Sequence, residues 1–175
     1  YTSASSYERG ALAWSGNVLN IGTENSGAGS ARSLAFMTAS TTRMTIDTSG
    51  NVGIGTNNPE DKLQIGSGYT KIVMGTANTG NLGYGTSYVG FNAARNQAGN
   101  WNLENSGGEN GGATIYGDLF GNILFSAIKS TGGAPAQSLS DAQVRKNAKF
   151  ILYANGLAAI SCSATNASDD AFVIN

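Results

Sequence analysis

Apolar residues in this chain occupy alternate positions in short runs, and glycine and asparagine separate the runs. Met44 and Ile46 alternate with polar neighbours ahead of Gly50, and Phe150 and Leu152 do the same ahead of Asn155. A period of two puts such side chains on one face of a strand. The punctuation recurs as Gly16-Asn17 after Trp14-Ser15, Gly50-Asn51 after Thr48-Ser49, Gly80-Asn81 after Thr79, and Gly121-Asn122 after Phe120. A reversed copy, Asn155-Gly156, follows Tyr153-Ala154. Glycine carries no Cβ penalty at positive φ and asparagine tolerates the left-handed region, so each pair predicts a two-residue hairpin turn. The hairpins recur roughly every 30 to 40 residues, a loose repeat of the kind that stacks along an axis. A single helix is predicted. Ser140-Asp141-Ala142-Gln143 has the form of a capping box, giving one or two turns through Val144-Arg145-Lys146 before a strand at 148–153.

Composition strengthens the strand reading. The chain of 175 residues has 25 Gly, 2 Pro and 12% charged residues, with 40% hydrophobic. That is roughly twice the glycine and half the charge of an ordinary globular domain. Gly, Asn and Ser serve turns, whereas Thr, Val, Ile and the aromatics serve strands. The expected fold is all-β, built of short glycine-rich hairpins. A boundary is expected near Gly66-Ser67-Gly68, separating a hairpin module at 1–66 from a second β-rich module at 67–175. Asn105-Ser106-Gly107-Gly108-Glu109-Asn110-Gly111-Gly112 reads as a long exposed loop, where binding surfaces tend to be placed.

A net charge of −1 offers no basic stripe for phosphates, so nucleic acid is not an expected partner. No apolar run is long enough to cross a bilayer, and membrane insertion is not expected. Tyr1 in place of an initiator Met makes the chain read as a fragment or a processed product. Cys162 is alone, so an internal disulfide is impossible, and it reads as a small buried side chain.

One stretch resembles a known family. Met44-Thr45-Ile46-Asp47-Thr48-Ser49-Gly50-Asn51-Val52-Gly53-Ile54-Gly55-Thr56-Asn57-Asn58-Pro59, with Lys62-Leu63-Gln64-Ile65 after it, is similar to a sequence common in bacteriophage tail fibres and tailspikes. It also resembles segments of large bacterial surface proteins. Tyr7-Glu8-Arg9-Gly10, Trp14, Asn17-Val18-Leu19 and Ile21-Gly22-Thr23-Glu24 resemble the segment that often precedes it. The resemblance covers about the first 65 residues and implies an intertwined parallel homotrimer, with 1–66 as fibre shaft and 67–175 as a distal receptor-binding head. It implies a structural virion protein on the tail fibre or spike, which attaches to a host surface glycan or protein receptor. Its other partners would be fibre, baseplate or capsid proteins. The alternative is a secreted bacterial adhesin or carbohydrate-binding module at the cell surface. Such fibres often carry a terminal intramolecular chaperone of the endosialidase type that cleaves itself off, which would make Asn175 a processed end.

Chemistry is limited by what is missing. With His 0, a Ser-His-Asp triad, a Cys-His pair and His-ligated zinc are excluded, and one cysteine cannot build a zinc site within one chain. Paired carboxylates remain, as in glycosidases. Glu104 and Glu109 flank a loop, Asp118 stands alone, and adjacent Asp169 and Asp170 would point to opposite faces of a strand, so all read as turn residues. Asp141 and Asp169 offer carboxylates for a structural calcium, but the spacing assembles no set of oxygen ligands. The chain is therefore expected to be non-enzymatic, with no cofactor and no metal. Carbohydrate binding is assigned to Trp101, Tyr88, Tyr84 and Tyr116 as flat apolar faces, with Asn100 and Asn102 as hydrogen-bonding neighbours. The competing reading makes these aromatics filling for a core.

Overall fold

The computed structural model describes residues 5–76, 87–96, 98–104, 110–131, 136–161 and 171–174; for residue 161 and residues 171–174 only the backbone enters the description. Tyr84, Gly80-Asn81, Glu109, Cys162, Asp169, Asp170 and Asn175 lie outside them. The fold is all-β with one short α-helix and one turn of 3-10 helix (Gly68–Thr70) among the described residues. A first hairpin, β1 (Tyr7–Ser15) and β2 (Val18–Ser26), forms a sheet of two strands by itself. After a linker at 27–33 the chain enters the main sheet. Its strands are β3 (Leu34–Thr38), β4 (Thr41–Ile46), β5 (Val52–Ile54), β6 (Leu63–Ile65), β7 (Ile72–Thr76), β8 (Ser87–Phe91), β11 (Gly112–Gly117), β12 (Ile123–Ile128), β14 (Ala148–Leu152), β15 (Ala158–Ser161) and β16 (Ala171–Ile174). They pair in chain order, antiparallel except for β5 on β6. A small sheet of β9 (Ala94–Arg95), β10 (Asn100–Leu103) and β13 (Gln137–Ser140), followed by α1 (Asp141–Lys146), packs against one face of it.

The turns divide into two kinds. Gly16 (φ 51°) and Asn17 (φ 63°) form the expected two-residue turn between Ser15 and Val18. Gly50 and Gly121 do something different. At Gly50 the Asp47 N–H donates to the Asn51 carbonyl at 2.9 Å and the Gly50 N–H to the Asp47 carbonyl at 3.0 Å. The Asp47 carboxylate accepts the N–H groups of Ser49 and Asn51, both at 2.8 Å. The same pattern closes Asp118–Asn122 and, with an asparagine first, Asn96–Asn100. These are longer loops with glycine alone in the left-handed region (φ 78–80° at Gly50, Gly99 and Gly121). The two-residue expectation is thus corrected at Gly50 and Gly121, and also at Asn155-Gly156, where the Tyr153 N–H donates to the Leu157 carbonyl at 2.8 Å and the Gly156 N–H to the Tyr153 carbonyl at 3.0 Å. At Gly50 and Gly121 the asparagine after the glycine rejoins the strand, and the Asx residue three positions before the glycine supplies the cap.

The helix follows its expected start. Ser140 Oγ accepts the Gln143 N–H, and the Gln143 side chain accepts the Ser140 N–H at 2.8 Å. The expected module boundary near Gly66-Ser67-Gly68 is not a break in the fold. β6 pairs with β7 across it, with Leu63 opposite Met74. The main sheet therefore spans both expected modules, and the separate piece is the hairpin before residue 27.

Candidate assembly surface

Three of the four aromatic residues assigned to sugar binding, Trp101, Tyr88 and Tyr116, lie in the core, and Tyr84 is outside the described residues. The inner face of the main sheet presents Val73, Tyr88, Tyr116, Leu124 and Ile128, and the small sheet and α1 cover it with Trp101, Leu103, Leu139 and Val144. Trp101 is 1% exposed and meets Tyr88 edge-on, ring centroids 4.7 Å apart, with Tyr116 at 5.8 Å. Rings enclosed in this way offer no face to a sugar, so the binding role of Trp101, Tyr88 and Tyr116 is withdrawn. Asn100 and Asn102 are half-buried, and Asn102 Oδ1 accepts a bond from Ser138 Oγ at 3.0 Å.

The polar atoms of these aromatics pin the two layers together. Trp101 Nε1 donates to Asp141 Oδ1 at 2.8 Å, and Arg95 donates to both oxygens of the same carboxylate, Nε at 2.7 Å and Nη2 at 2.5 Å. Arg95 and Asp141 are both buried, and the hydrogen bond to Asp141 raises the guanidinium pKa. Tyr88 OH donates to Asp61 Oδ2 at 2.8 Å and accepts the Arg95 N–H at 2.9 Å. Asp61 reaches it by lying directly over Gly75, where any Cβ would collide with its carboxylate. Burial raises the Tyr88 phenol far above its ordinary value and pushes Tyr116 up to about 12. Asp141 is thus bound by Arg95 and Trp101, and Asp169, the other carboxylate considered for calcium, lies outside the described residues.

The other candidate acids are similarly engaged. Burial pushes the Asp118 carboxyl upward, but Arg145, the Asn122 side chain and two loop N–H groups outweigh it and hold it below the usual carboxylate range. Glu104 lies 3.7 Å from the buried Lys71 amine, which is held at 2.5 Å by Glu60. The remaining candidate acids, Glu109, Asp169 and Asp170, lie outside the described residues. Among the described residues no group of three metal-binding side chains comes together.

The opposite face of the main sheet is the unexpected feature. Cross-strand partners share a face, so the register can be followed from strand to strand. Leu34, Ile46, Val52, Leu63 and Met74 stand in line, and the line continues through Val89, Ile115, Phe125, Phe150 and Ile160. Ten strands contribute one apolar residue each. A second row, two residues along, runs Phe36, Met44, Ile54, Ile65, Ile72, Phe91, Ala113 and Ala127. Neither row contains a charge. Met74, Ile54, Ile65 and Phe91 are each 42–44% exposed, and a shallow groove of about 560 Å³ runs over Leu63, Met74, Val89 and Ile115. At ~4.8 Å between strands and ~7 Å per row, the footprint is roughly 600 Å². A lone soluble protein rarely exposes more than about 300–600 Å² of contiguous apolar surface, and patches of this size mark interaction sites.

Sequence reasoning did not find this face, although part of its signal is visible. Ile123-Leu124-Phe125 and Phe150-Ile151-Leu152 are apolar at consecutive positions, which a strand with one wet face does not need. Comparison of the chain with protein-family models and with curated proteins returns no match.

Proposed function

We propose that the chain is a non-enzymatic structural protein of a virion fibre or spike, built from parallel copies of itself as a homotrimer and serving host-cell attachment. The observation that carries this is the row of apolar residues across ten strands, with Lys62 and Lys149 lining the grooves beside it. Covering ~600 Å² per copy is worth at most about 15 kcal/mol at ~25 cal/mol per Å². That is the scale required to offset the roughly 4–15 kcal/mol cost of association. An identical copy is a suitable cover, because the two apolar rows are the same on each copy and place no charge against each other, the lysines Lys62 and Lys149 lying in the grooves beside them. The similarity of the stretch from Met44 to Ile65 to phage fibre shafts supports the virion setting.

Attachment then falls to side chains that reach solvent. Phe120 is 71% exposed at the tip of its loop, and Tyr153 heads the neighbouring loop, tied to it by the Ala154 N–H bond to Asn122 Oδ1 at 3.1 Å. Both loops are held rigidly, so an aromatic contact there costs little ordering entropy. Sedimentation equilibrium tests the assembly: three times 17.9 kDa is expected, and a single-chain mass at all concentrations overturns it. Phe120→Ala is expected to weaken binding to host cells or their glycans without changing that mass.

A further inference from the structure

A two-stranded ribbon is marginally stable on its own in water, yet β1 and β2 pair with nothing else among the described residues. Its two faces differ. One carries the Arg9–Glu24 ion pair at 2.8 Å with Ala11, Ala13 and Asn20. The other has a covered half and a bare half. At its base the linker folds back: Glu8 accepts the Ser30 N–H at 2.7 Å and Arg32 Nε at 2.6 Å, and Thr23 Oγ1 donates to the Arg32 carbonyl at 2.6 Å. Beyond the base, Leu12 opposite Ile21 and Trp14 opposite Leu19 are bare, with Trp14 73% and Leu12 71% exposed. Four large apolar side chains at the end of a ribbon oppose its solubility unless something covers them.

We infer that this distal half is a clasp, which closes on the same four residues of neighbouring copies. The inference rests on the self-assembly proposed above and names where a second contact forms. The four residues include no charge, so copies meet there without repulsion. The clasp is also continuous with the assembly face. The linker at 27–33 leads directly into Leu34, the first residue of the ten-strand row, so the clasp and the row are adjacent along the chain and a contact at one is tethered to a contact at the other. Association thus supplies the burial that the ribbon lacks.

The two tryptophans make this testable. Trp101 is enclosed, so emission open to a neutral quencher such as acrylamide comes from Trp14, and Trp14→Phe identifies it by subtraction. Quenching is followed beside sedimentation over a dilution series of the full chain. The quenchable component is expected to vanish, with a blue shift, where the chain is assembled, and to return on dilution to single chains. In Ile21→Asp it should persist at concentrations where the wild type has lost it. A quenchable Trp14 in the full-mass assembly overturns the clasp and leaves self-assembly standing. A shielded Trp14 in single chains overturns it too, since the ribbon then folds on its own chain. Single chains with exposed Trp14 at every concentration overturn both readings.

Discussion

Replacing Ile115 with Asp places one carboxylate near the middle of the apolar row, between Val89 and Phe125. Ile115 points away from the core that Trp101 and Tyr116 share, and is only half-buried in a single chain. The protomer should therefore keep its fold. The assembly should not. Lost apolar burial is worth about 1–2 kcal/mol per copy, and desolvating an unpaired carboxylate costs several kcal/mol more. At roughly 4 kcal/mol per copy, three copies lose about 12 kcal/mol, or roughly nine powers of ten in the association constant. Sedimentation equilibrium should give 17.9 kDa for Ile115→Asp, with strand circular dichroism and the Trp101 emission retained. Phe91→Asp, from the second row and 42% exposed, should behave alike. If both variants sediment at the wild-type assembled mass, the face is not shared between copies. If both lose their strand signal, the outer face belongs to the protomer core and the two-faced description of the sheet is wrong.

The buried pair beneath the inner face makes a prediction of the opposite kind. Asp141→Asn should destabilise the fold by about 3–5 kcal/mol, because it leaves Arg95 charged and buried without its carboxylate. Denaturant titration at fixed chain concentration reads this, and a shift under about 1 kcal/mol would remove the pair from the account of the core. The Asp118 loop gives a pH dependence. Its folded pKa is depressed, so its contribution is complete above the ordinary value of 3.8 and is lost as pH falls through the lower folded value. The acid limb of a stability–pH curve should flatten in Asp118→Asn, and an unchanged limb would count against the bonds to Arg145 and Asn122.

How much of this was legible in the sequence depended on the range of the interactions. The capping box of α1 is written in four consecutive residues, and it formed as read. The Gly16-Asn17 turn is equally local. Gly50 and Gly121 were found as turn positions but given the wrong turn, because the deciding residue is the acceptor three positions earlier, Asp47 or Asp118. The Asn96–Asn100 loop, built on the same plan, escaped notice, and so did the turn at Ala39 and Ser40, whose φ values of 48° and 59° occur without any glycine. Trp101 and Tyr88 were misplaced for a longer-range reason. Their polar atoms look like ligand contacts in a sequence, but their partners, Asp141 and Asp61, are 40 and 27 residues distant and close the core. The assembly face was least legible, since it exists only as a register across ten strands. No window along the chain contains it.

That face also explains the composition better than turn chemistry alone does. A chain with 40% hydrophobic residues has enough apolar material to bury, and 12% charge is too little to wet both faces of an eleven-stranded sheet. The small sheet and α1 can cover only one face, and they cover the central strands, where Val73, Tyr88, Tyr116 and Leu124 are buried. Phe36, Ile54, Ile65 and the clasp residues of the first hairpin are each more than 40% exposed in the single chain. On this view the self-contained unit is larger than one chain, and the residues from 7 to 65 should gain most of their stability from association. Hydrogen exchange would separate the two regions, with amides of β10–β12 protected in dilute single chains and those of β1–β4 protected only in the assembly. Equal protection of both regions in single chains would refute the division.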